Sequence, residues 1–113
     1  MSKITTHVLD VSLGRPAANV PVLLEAQSAD HAWHEAGRGM TDGDGRLKDW
    51  AAGEALGAGI YRLTFDTSAY FSARHIVSLY PQVIIVFEVR DARDHYHIPL
   101  LLSPFGYSTY RGS

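Results

Sequence analysis

Six histidines stand in a chain of 113 residues that contains no cysteine. Imidazole is the side chain whose unperturbed pKa lies nearest neutrality, so it suits proton transfer. His95 and His97 frame the triplet "HYH". On an extended strand this spacing puts both rings on one face, with Tyr96 and Ile98 on the other. Two imidazoles on one face are the beginning of a metal site. Zinc, however, takes three or four ligands with supporting partners, and no third ligand matches, so no metal is expected. His7, in "THVLDVS", shares its face with Leu9 and Val11, while Thr6 and Val8 lie opposite. Taken alone it reads as a structural histidine. His31 and His34, in "HAWH", fall on opposite faces of a strand and read as surface residues.

The stretch "TDGDGR" carries the acidic and glycine residues of a calcium loop but lacks its later acidic ligand, so it reads as a hairpin turn. Arg46 closes that turn. Its guanidinium is a rigid fork suited to carbonyl and oxyanion groups. The chain has no GxSxG elbow and no glycine-rich phosphate loop. An enzyme built from this set would use water as nucleophile, a histidine as its base and an arginine as stabiliser of negative charge.

The elements that must position these groups read as mostly β. "THVLDVS" ends at the Gly/Pro/Asn turn "LGRPAAN", and "VPVLLEAQ" and "HAWHEAGRGM" follow as strands. "GIYRLTFD" alternates Ile60, Arg62 and Thr64 against Tyr61, Leu63 and Phe65. "TSAYFSA" reads as a short helix capped by Thr67 or Ser68. "QVIIVFEV" is a continuous apolar run of strand length, expected to be buried on both faces. "HYHIPLLLS" and "YSTYR" close the chain, the last with Tyr107 and Thr109 on one face and Ser108 and Tyr110 on the other. Seven to eight short strands with frequent turns predict an antiparallel β-sandwich with one short helix, as a single domain over 1–113. The apolar surface of "QVIIVFEV" and "HYHIPLLL" exceeds what one small sandwich needs, which predicts a homo-oligomer.

Composition excludes several classes. With 10 basic and 12 acidic residues the formal charge is −2, and no basic run marks a nucleic-acid binder. "VIIVF" and "IPLLL" fall far short of the ~20 apolar residues of a membrane helix. "MSKITTHVLD" has no apolar signal core, so the expected protein is soluble and cytoplasmic. Absent cysteine fits a reducing compartment.

"THVLD" with "GRPAANVPVLLE", then "TDGDGR", then "YHIPLLLSPFGYSTYRGS", resembles the transthyretin-like family from end to end. The terminal "YRGS" after "SPFGYST" is the most specific part and points to the family's hydrolase branch. The resemblance implies an eight-stranded sandwich with a short helix. It further implies a homotetramer (dimer of dimers) with active sites in a channel between dimers. The implied reaction is hydrolytic ring opening of 5-hydroxyisourate, with no cofactor and no metal. His7, Arg46 and His97 match the family's catalytic residues, and Ser113 would join them through its terminal carboxylate. Tyr110, Arg111 and Gly112, together with His7 and Arg46, match its substrate-binding residues. The flanking Asp10, Val11 and Ser12 are expected to vary freely. A transthyretin-like carrier of a small aromatic ligand is the rival reading; it has no need of His7, Arg46 and His97 together. An immunoglobulin-like module is a second rival, without the Cys…Trp…Cys spacing of that fold.

Overall fold

The computed structural model describes residues 3–47, 50 and 56–113. Among these the order is β1 (Lys3–Asp10), β2 (Arg15–Pro16), β3 (Pro21–Gln27), β4 (Trp33–Met40), β5 (Arg46–Leu47), β6 (Gly59–Phe65), α1 (Thr67–Ala73), β7 (Val83–Val89), β8 (His95–Ser103) and β9 (Gly106–Thr109). Two sheets form the sandwich. One runs β2-β1-β8-β9, with β5 also paired to β1; the other runs β4-β3-β6-β7. Two of the nine strands are only two residues long, which is why they left no periodic signal in the sequence. The pairing is antiparallel throughout except between β1 and β8, which run parallel from Lys3↔His95 to Asp10↔Leu102. A parallel pair requires a long crossover, and here the whole second sheet supplies it.

Strand alternation decides what each sheet buries. Ile4, Val8, Tyr96, Ile98, Leu100 and Leu102 turn inward from β1 and β8. They meet Val22 and Leu24 of β3 and Tyr61, Leu63 and Phe65 of β6. Every second residue of β1, including Thr5 and His7, is thereby left on the outer face, and so is His97 on β8. The "HYH" alternation therefore holds.

Several local expectations are corrected. "QVIIVFEV" is not buried on both faces: Val83 and Val89 are buried, while Ile84 is 43% and Val86 58% exposed. β7 is an edge strand, and among the described residues no further layer covers its outer side. The helix spans the expected residues, but Asp66 caps it, accepting from the N–H of Ala69 at 3.0 Å. The Thr67 hydroxyl donates instead to the carbonyl of Tyr80. His31 lies outside β4 with φ of 66°, and His34 is exposed beside Ser28, so no shared strand sets their faces.

"TDGDGR" is a tight turn, but the strands it joins, β4 and β5, lie in different sheets. It is a crossover, not a hairpin. Asp42 Oδ1 accepts from the N–H groups of Asp44 and Arg46, and the Gly45 carbonyl accepts from Val8 N–H at 2.7 Å. Gly45 has φ of 76°, and a Cβ there would stand 2.3 Å from the Val8 carbonyl oxygen. Only glycine lets the turn seat this closely on β1.

Asp10 is no free flank. It is fully buried and accepts from Ser12, from Leu13 N–H and from the Tyr70 hydroxyl at 2.6 Å. Burial pushes its pKa up, but the hydrogen bonds from Ser12, Tyr70 and Leu13 together outweigh burial and hold the carboxyl below its ordinary range. Burial and the neighbouring Asp10 charge raise the Tyr70 phenol to about 12. This pair ties α1 to the end of the strand that carries His7. No helix among the described residues is long and apolar enough to cross a membrane.

Candidate active site

The parallel β1–β8 register sets Thr5 beside His97 and His7 beside Pro99. On the other edge of β1, the short antiparallel pairing with β5 sets His7 opposite Arg46. Paired residues share a face, so His7, Arg46, Thr5 and His97 all stand on the outer face of the five-stranded sheet. Residues from three separate parts of the sequence meet there.

Each imidazole is held by one ring nitrogen. His7 Nε2 lies 2.8 Å from the carbonyl oxygen of Asp44. A carbonyl only accepts, so Nε2 carries the hydrogen, and neutral His7 keeps its lone pair on Nδ1. His97 Nδ1 lies 2.8 Å from Thr5 Oγ1, whose hydroxyl serves as donor or acceptor. That leaves His97 Nε2 for other chemistry. Burial lowers the His97 pKa, and the nearby Arg46 charge and His7 lower it further. These influences favour the neutral form of His97, whose ring is held on one side by Thr5.

The chain end is fixed against this site. β9 stops at Thr109, whose hydroxyl donates to the Pro99 carbonyl at 2.7 Å. The backbone then returns to β8, where Gly112 N–H donates to the His97 carbonyl at 2.7 Å. A Cβ on Gly112 would stand 2.5 Å from His97 Cδ2 and 3.2 Å from Cγ. Glycine is required here because the tail backbone packs directly on the His97 ring. Tyr110 and Ser113 are exposed on either side of this contact.

Arg111 points elsewhere. Its Nη2 donates to the His95 carbonyl at 3.0 Å, and its guanidinium carbon lies 4.4 Å from the centre of the Tyr96 ring. Tyr96 turns inward, away from His97. Thr5, Tyr96 and the Asp44 carbonyl are neighbours of the site that the sequence did not mark. The only available signal for Thr5 was its position two residues before His7, on the same face.

The chemistry this arrangement supports is activation of water by an imidazole beside a guanidinium that stabilises negative oxygen. A family model described as "HIUase/Transthyretin family" matches residues 4–112. The chain is 47% identical, over 99% of its length and 82% of the other protein, to a Caenorhabditis elegans protein named "Probable 5-hydroxyisourate hydrolase R09H10.3". It is similar to the structure of Klebsiella pneumoniae 5-hydroxyisourate hydrolase, with a TM-score of 0.88, 36% identity and full coverage of both chains. It is also similar to sea bream transthyretin in complex with thyroxine, with a TM-score of 0.91, 31% identity and coverage of 96% and 93%. The chain belongs to the HIUase/transthyretin family.

Proposed function

We propose that this protein is a hydrolase that opens the ring of 5-hydroxyisourate to 2-oxo-4-hydroxy-4-carboxy-5-ureidoimidazoline in urate degradation. The observation that carries the reading is the joining of His7, Arg46 and His97 on one face, with Gly112 of the tail packed on His97. The fold alone does not decide between hydrolase and carrier, since a thyroxine-bound transthyretin is as similar in shape.

Water adds to the substrate's acyl carbon as an imidazole takes its proton. Arg46 meets the oxyanion that forms. Collapse of the tetrahedral intermediate breaks the carbon–nitrogen bond, and the imidazolium returns the proton to the departing nitrogen. A placed general base typically contributes ~10²–10⁴-fold. His97 and His7 together hold the water, and Tyr110 and Gly112 border the substrate plane, with Ser113 beside them. No cofactor or metal takes part in this scheme. If His7→Ala, Arg46→Ala and His97→Ala proteins, all folded, hydrolysed 5-hydroxyisourate as the wild type does, the site assignment would be overturned.

The His97 environment sets the sign of the pH dependence. A lowered pKa keeps the ring neutral to lower pH, so activity falls only on the acid side of the ordinary histidine value of about 6.5. The expected profile of kcat/KM, after subtraction of spontaneous hydrolysis, is level near neutrality with its acid limb below that value. A limb above it, or a flat profile from about pH 5 to 8, contradicts a histidine base.

The working form in this proposal is a homotetramer, a dimer of dimers with the sites in a channel between dimers. Two features support it: His7, Arg46 and His97 are half-buried on a sheet face that no other sheet among the described residues covers, and Ile84 and Val86 are exposed on the edge strand β7. Light scattering at micromolar concentration is expected to give about four times the chain mass of 12.4 kDa. A monomer would refute the assembly.

A further inference from the structure

The terminal tetrapeptide does not act as one unit. Gly112 meets the His97 ring, while Arg111 crosses to the Tyr96 side. There it stacks on the Tyr96 ring, donates to the His95 carbonyl and lies 3.8 Å from the Asp94 carboxylate. The surrounding groove is walled by Glu88, Asp91 and Asp94 beside Arg90 and Tyr96.

Tyr96 is itself fixed from behind. Its hydroxyl accepts from the N–H groups of Arg90 and Asp91 at 3.1 and 3.2 Å, where β7 turns into β8. A continuous series of contacts therefore runs from that turn, through the phenol and its ring, to the Arg111 guanidinium. From there it passes to the next residue, Gly112, and to His97. A planar guanidinium suits this place because it stacks on a ring and donates in its own plane at once; an ammonium does only one of these well.

We propose that Arg111 is a positioning residue, in place of the substrate contact that family resemblance implies for it. It latches the chain end onto Tyr96 and the His95 carbonyl, and so holds Gly112 and Ser113 against His97. The effect on hydrolysis rests on the function proposed above; the latch itself does not.

The test uses the full chain and two variants, Arg111→Ala and Arg111→Lys, with two readouts. The first is amide hydrogen exchange at Gly112, whose N–H is bonded to the His97 carbonyl. The second is kcat and KM for 5-hydroxyisourate. A latch predicts that Gly112 protection falls at least tenfold in Arg111→Ala. It also predicts that kcat falls by about 10-fold or more, as for a site loosened by a fraction of an ångström, with KM nearly unchanged. Arg111→Lys should recover little of either. Undiminished Gly112 protection in Arg111→Ala would overturn the proposal. So would a rise in KM alone that lysine rescues, which marks a substrate contact, and so would lost protection with unchanged kcat. If the wild type did not hydrolyse 5-hydroxyisourate, the function would fall, while the exchange measurement would still decide whether Arg111 latches the tail.

Discussion

Gly112→Ala is expected to fold normally and to lose about 10²-fold in kcat, the scale reached when a catalytic constellation is displaced by about 1 Å. The added methyl would stand 2.5 Å from His97 Cδ2. The ring is restrained on its other side, because Thr5 holds its Nδ1 at 2.8 Å. The tail must lift instead, breaking the 2.7 Å bond from Gly112 N–H to the His97 carbonyl and carrying Ser113 away. Circular dichroism and light scattering would establish that the variant retains its fold and assembly, and steady-state kinetics would measure the loss. Deleting Arg111, Gly112 and Ser113 should leave a folded oligomer with a loss at least as large. Wild-type turnover in either protein would reduce the tail to the loose end of a strand.

Arg46→Ala carries the second large expectation, a loss of about 10²–10³ in rate, as when a donor to a developing oxyanion is removed. The same change should shift the pH profile. Burial is the main cause of the lowered His97 pKa, and the Arg46 charge is the next. Without the guanidinium the imidazolium is opposed less, so the His97 pKa rises and the acid limb moves to higher pH. Arg46→Lys should restore the position of the limb, since it restores the charge, but only part of the rate, since it lacks the fork. The pH–rate profiles of the three proteins separate the two effects. An Arg46→Ala enzyme with wild-type rate and an unmoved limb would remove Arg46 from the site.

What the sequence revealed depends on the range of the interaction. Alternation within β1, β6 and β8 is local, and the two faces it separates in "THVLDVS", "GIYRLTFD" and "HYHI" are the two faces found, although it did not tell which of them is buried. Partners across strands are not local. Thr5 and His97 are 92 residues apart, and only the parallel register of β1 on β8 brings them together. His7 and Arg46 likewise meet through a two-residue strand too short to show a period. The apolar run of β7 misled because periodicity shows how apolar a strand is but not whether a neighbouring layer exists to cover it. Asp66 displaced Thr67 and Ser68 as helix cap because all three are good caps in sequence, and only backbone geometry selects among them. The tail followed the same rule. "YSTY" could be read as a strand, but the return of Gly112 to His97 and the crossing of Arg111 to Tyr96 depend on where β8 lies.

The central claim is that this chain catalyses a hydrolysis, and one measurement addresses it directly. 5-Hydroxyisourate is generated from urate with urate oxidase, the purified protein is added, and the decay of the transient absorbance is followed. Decay faster than the spontaneous reaction, in proportion to the protein added, is the expected result. Decay at the uncatalysed rate at every protein concentration would contradict it.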